Sequence, residues 1–267
     1  MSSSVVKVLI DAFRALRKFP KLFLPKILIA ALYGFGMLLT AGFFNQLIPL
    51  LNSPNSLQNP ALLSSISSNA LLLLAFLFFV MVLDVLFNAA YSVMVRDFLQ
   101  NNRIAILSSF KAALRKFFVI IPAALTSLIV FLVIALPIAV LASFALLSKD
   151  FAVFYLAVFL VLVLDLILTV AFYSMYPVSI FEKQGFFGVL KKSVIVSRQK
   201  FSKVFWLSLF SLLLSVFGIV FSFLAGNAAF FALFVLFRFL TALLATYQII
   251  LNPVFYLEFV RKLEAKA

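Results

Sequence analysis

The chain has 267 residues, of which 66% are hydrophobic and 36 are Phe, with 11% charged and a formal net charge of +14. A soluble domain carries about twice that charged share, so water is excluded as the main solvent. With no Cys and no His, disulfides and the imidazole or thiolate sites of zinc, copper and haem are excluded as well.

In chain order, the first predicted element is a basic amphipathic helix. Val5, Val6, Leu9, Ala12, Phe13, Leu16 and Phe19 recur at helical spacing, and Lys7, Asp11, Arg14, Arg17, Lys18 and Lys21 fill most positions between them. Two apolar stretches follow, at 22–47 and 70–95, each long enough to cross a hydrocarbon core of ~20 helical residues. Gly34 and Gly36 in the first are small residues that let helices approach closely. The uncharged segment 46–69, with Pro49, Pro54, Pro60 and several Ser and Asn, reads as a loop on the outer face.

A second basic helix sets Ile106, Leu107, Phe110, Leu114 and Phe117 against Arg103, Lys111, Arg115 and Lys116, and leads into spans at 118–147 and 151–181. Pro137 predicts a kink in the third span, while Pro25, Pro122, Pro177 and Pro253 are expected near span ends. A third basic helix sets Phe187, Leu190, Val194 and Phe201 against Lys191, Lys192, Arg198 and Lys203 and leads into spans at 204–225 and 228–257. All three helices have the composition of interfacial helices.

The first two basic helices share Ala15-Leu16-Arg17-Lys18-Phe19 and Ala113-Leu114-Arg115-Lys116-Phe117, and a looser copy ends in Arg198-Gln199-Lys200-Phe201. The expected fold is therefore all-α: a single polytopic membrane domain over 1–267, with six transmembrane helices in three repeats. Each repeat is an amphipathic interfacial helix plus a helical pair, with boundaries near 4–100, 101–183 and 184–267.

Of the 22 Lys and Arg, Lys149 falls in a loop on the far side and Arg238 within a span; the others share one face. The positive-inside tendency makes that face cytoplasmic, with both termini there, in the cell membrane. Arg14, Arg17, Lys18, Lys111, Arg115, Lys116, Lys191, Lys192 and Arg198 are the expected contacts to anionic lipid headgroups, each worth ~1 kcal/mol near such a leaflet. The same cations also serve as simple topology signals on connecting helices, and composition leaves both readings open. Nucleic acid is not an expected partner, because no soluble basic module is present.

Three charges fall inside the spans: Asp84, Asp165 and Arg238. Each has polar neighbours toward the C-terminus: Asn88 and Tyr91 after the first, Thr169 and Tyr173 after the second, Thr241 and Tyr247 after the third. An ionised residue at mid-bilayer costs ~2.5–3.5 kcal/mol or more, so the three are expected to converge inside the bundle, Arg238 holding one or both carboxylates. Such a cluster is either a structural device that sets helix register or the path of a small transporter or channel.

No catalytic apparatus is recognisable. Zinc and Ser-His mechanisms need His, and neither Asp84 nor Asp165 follows a Gly-x-Gly sequence. The eight carboxylates are dispersed, and no metal or cofactor is expected. The order of basic helix and helical pair, with Phe110-Lys111-Ala112-Ala113-Leu114 and Leu190-Lys191-Lys192-Ser193 opening the later repeats, resembles a broad group of prokaryotic six-span membrane proteins. That group is similar to the membrane domain attached to some glycerophosphoryl diester phosphodiesterases, whose catalytic barrel of ~250 residues has no room here. The resemblance implies an all-helical bundle of bacterial or archaeal origin and no enzymatic activity. The expected role is a scaffold or accessory subunit that contacts anionic lipid, or a membrane-protein partner, through its basic face.

Overall fold

The computed structural model describes residues 3–51, 60–101, 103–226 and 231–261. Helix accounts for 93% of the fold, and no strand occurs among the described residues, so the protein is an all-α polytopic bundle. Helix α1 (Ser3–Lys18) is followed, after a 3-10 turn at Pro20–Phe23, by α2 (Leu24–Leu51) and α3 (Pro60–Asn101). Helix α4 (Ile106–Leu114) precedes α5 (Phe117–Leu147), α6 (Phe151–Ala171) and α7 (Met175–Phe181). Helix α8 (Phe186–Gln199) precedes α9 (Phe201–Gly226) and α10 (Phe231–Tyr256), which runs into a π-helical turn, Leu257–Arg261.

Six helical stretches are long and apolar enough to cross a membrane: Pro20–Asn45, Ile66–Asn101, Phe117–Leu147, Phe151–Phe181, Phe201–Gly226 and Phe231–Arg261. Their adjacency closes a ring in which α2 packs on α3, α3 on α5, α5 on α6, α6 on α9, α9 on α10 and α10 back on α2. Helix α10 also reaches across to α3. Two of the three glycines in α2, Gly34 and Gly36, set its spacing from both neighbours. A Cβ on Gly34 would meet the Phe234 ring at 3.2 Å, and one on Gly36 would meet Leu77 at 3.0 Å and Phe76 at 3.2 Å.

Two features differ from the reading of the sequence. Most of the expected outer loop is helical: residues 46–51 extend α2 and 60–69 open α3, with Pro60 at the first helical position, where its missing N–H costs nothing. The remainder, including Pro54, lies outside the described residues. Helix α5 is continuous through both Pro122 and Pro137, and the Thr126 hydroxyl bonds the Pro122 carbonyl at 2.8 Å. The fourth span is interrupted over 172–174. Pro177 explains it: the ring has no N–H for the Tyr173 carbonyl and clashes with it in a continuous helix, but is tolerated in the first turn of α7.

The packed core lies toward the basic end. Val5, Val8, Ala12 and Ala15 of α1, Ala89, Ala90, Tyr91, Met94 and Val95 of α3, Val189 and Val196 of α8, and Ile250, Leu251, Val254, Phe255 and Tyr256 of α10 belong to one buried cluster. Ala15, Ala113 and Ser197, the residues four positions before Phe19, Phe117 and Phe201, are all buried. Each basic helix thus lays a small side chain against the bundle, while the spans farther along turn Leu71, Leu72, Phe78, Phe144, Ile219 and Phe223 outward. On those surfaces hydrocarbon replaces protein as the packing partner.

Candidate functional site: the charges within the spans

Asp84 does not meet Arg238. Its carboxylate is held by Lys26 of α2, with Nζ at 2.5 Å from Oδ1, and the Lys26 side chain is only 9% exposed. Lys26, which counted with the surface cations in the sequence, is a buried partner inside the first span. The register between α2 and α3 accounts for this. Tyr91 donates to the Leu22 carbonyl at 2.7 Å, and the Phe35 and Phe76 rings meet edge-on at 5.7 Å, so Lys26 sits across from the turn that carries Asp84. Its flexible stem supplies the remaining reach.

Arg238 lies farther along. Its guanidinium stands 5.7 Å from the Phe234 ring and its Nε is 3.8 Å from the place a Gly34 Cβ would take. Gly34 is eight residues beyond Lys26, about 12 Å along a helix axis. The buried Nε has no hydrogen-bond partner, and Arg238 has no ion pair among the described residues. Its glycine neighbour and the Phe234 face accommodate the cation without a carboxylate.

Asp165 stands apart from both. It lines a cavity of about 360 Å³ between α5, α6 and α10, together with Thr169, Tyr173, Asn252 and Ser127. Leu128, Phe131, Leu168 and Phe172 form the apolar walls. No Lys or Arg lines this space, and Asp165 has no ion pair among the described residues. The expected convergence of Asp84, Asp165 and Arg238 is therefore corrected: one acid has a lysine, and the other acid and the arginine are separate. Sequence periodicity could not decide this, because lateral neighbours across a ring depend on span order.

The flanking polar residues divide similarly. Tyr91 and Tyr247 are tethers, donating to the backbone carbonyls of Leu22 and Leu9, the second at 3.0 Å. Thr241 bonds its own helix at the Phe237 carbonyl. The Asn88 Oδ1 and the Tyr173 hydroxyl are buried without partners. Asn252 and Ser127 went unnoticed in the sequence; a polar residue beside Pro253 in the sixth span was the available signal for the first, and nothing marked the second.

At the basic end, Arg14, Arg17, Lys18, Lys111, Arg115, Lys191 and Arg198 are exposed, and Lys116 and Lys192 are half-buried. Lys116 donates to the Glu182 carbonyl at 3.2 Å, and Tyr256 donates to the Glu182 carboxylate. Lys7 pairs with Glu258, joining α1 to the end of α10. That hydrogen bond, with the charge of the same carboxylate, holds the Lys7 pKa above its usual 10.5. Among the described residues no group of three or more carboxylates could hold a metal ion.

Comparison of the chain with protein-family models, with curated proteins and with solved structures gives no match.

Proposed function

We propose that this chain is a non-catalytic multi-pass protein of the cell membrane, a scaffold or accessory subunit that holds anionic lipid headgroups against a basic cytoplasmic face. The observation that carries this reading is the common posture of α1, α4 and α8. Each commits one stripe to the core and leaves most of its cations exposed: Arg14, Arg17 and Lys18 on the first, Lys111 on the second with Arg115 just beyond it, and Lys191 and Arg198 on the third. Cations at the ends of apolar spans favour the cytoplasmic side and attract anionic headgroups. The shared register of Ala15, Ala113 and Ser197 supports a threefold internal repeat, as in the prokaryotic six-span group that the sequence resembles. The separation of Asp84, Asp165 and Arg238 weighs against one transport path through all three.

The test is thermal unfolding of the purified protein after addition of phosphatidylglycerol or phosphatidylcholine. Phosphatidylglycerol raises the midpoint more, the difference shrinks when Arg14, Arg17, Lys18, Lys111 and Arg115 are replaced by Gln, and salt weakens it. Equal midpoints with both lipids would overturn the reading.

A further inference from the structure

The cavity around Asp165 gathers four polar side chains that make no hydrogen bond among the described residues: Asp165, Thr169, Tyr173 and Asn252. The threonines elsewhere in the spans bond their own helix, Thr40 at Gly36, Thr126 at Pro122, Thr241 at Phe237 and Thr246 at Ala242, all at backbone carbonyls, while the Ser92, Ser208 and Ser211 hydroxyls are buried without partners. Thr169 makes no such bond, and neither Asp165 nor Asn252 has a hydrogen bond among the described residues. The Tyr173 side chain is 2% exposed and its hydroxyl has no partner, whereas the hydroxyls of Tyr91 and Tyr247 are both tethered. Four polar side chains thus border one space without satisfying one another, and the Tyr173 hydroxyl is buried with its bonding capacity unmet.

We propose that this cavity binds a small organic cation, a primary ammonium carrying an apolar group. The sign of the ligand follows from the lining, where Asp165 is the sole formally charged residue. A single carboxylate is too little for a divalent ion, which recruits several oxygen ligands and commonly more than one acid. A bare alkali ion would leave most of the 360 Å³ empty, whereas that volume falls in the range of ~300–1,000 Å³ usual for organic-ligand pockets. The three N–H donors of an ammonium find acceptors among the Asp165 carboxylate and the oxygens of Thr169, Tyr173 and Asn252. The apolar group lies against Leu128 and Leu168, and the Phe131 and Phe172 rings favour a cation nearby. The proposal does not depend on headgroup binding at the basic end.

The experiment is equilibrium dialysis of radiolabelled 2-phenylethylammonium against the full-length protein in phosphatidylcholine nanodiscs, with protein-free discs as the baseline. Saturable binding of one cation per chain is expected, about tenfold weaker in Asp165→Asn through loss of the charge pair and a few-fold weaker in Tyr173→Phe. Propylbenzene, the uncharged isostere, does not compete. Where Asp165→Asn fails to fold, Tyr173→Phe and propylbenzene competition on the unaltered protein decide. Binding undiminished in Asp165→Asn, competition by propylbenzene equal to that of the amine, or no saturable binding above baseline each overturns the proposal.

Discussion

At the scale of single residues, Lys26 is the instructive case. Its side chain and that of Asp84 are 9% and 24% exposed, so each relies on the other for a counter-charge that water would otherwise supply. Removing one partner strands the other: Lys26→Met or Asp84→Asn is expected to destabilise the protein, by about 3–5 kcal/mol for the change that leaves a bare charge. The joint change Lys26→Met with Asp84→Leu should recover most of the loss, because two well-packed apolar side chains need no counter-charge. Thermal unfolding of the three variants checks this, and a double variant no better than Lys26→Met alone would count against the pairing. The acid was legible as an anomaly in an apolar run. Its partner was not, because a lysine near the start of a span has the same appearance in sequence as one at the interface.

At the scale of elements, the break in the fourth span has a specific compensation. The Met175 N–H turns to the Phe172 carbonyl at 3.0 Å and leaves the Ala171 carbonyl without its helical donor. The hydroxyls of Ser193 and Ser197 on α8 supply the missing bonds to Ala171, at 3.2 and 3.4 Å. The third basic helix therefore caps a span as well as carrying charge. Replacing both serines with Ala should cost about 1–3 kcal/mol, the penalty of an unmet buried carbonyl, while either single change costs less because one donor remains. Denaturant unfolding reads the difference, and a double variant as stable as the singles would refute the cap. Pro177 made a break foreseeable in the sequence. The donors did not stand out, because Ser193 and Ser197 read as ordinary polar positions on an amphipathic helix.

At the scale of the whole molecule, the packed core gathers at the basic end, and the first helix meets the last there. Lys7 of α1 bonds Glu258 beyond α10, and Tyr247 holds the Leu9 carbonyl. Because the folded state raises the Lys7 pKa above 10.5, this contact contributes fully below pH 10.5 and is lost as the pH climbs through the raised value. The unaltered protein should therefore be more stable than Lys7→Gln at neutral pH, with the gap closing on the alkaline side. Paired unfolding measurements from pH 8 upward test the sign, and a gap independent of pH would contradict it.

The sequence by itself determined the solvent, the all-α class and the approximate location of six spans, since these depend on local quantities: the length and apolarity of each run and the helical period of the basic segments. It also singled out Asp84, Asp165 and Arg238 as the costly residues. Only the tertiary structure decided which of them meet. Pairing depends on which helices neighbour one another around the ring and how far each is shifted along its axis, and both are set by contacts hundreds of residues apart, such as Gly34 against Phe234 and Tyr247 against Leu9. The same non-local packing joined Asn252 of α10 to Asp165 of α6 around one cavity, an association that no spacing within either helix encodes.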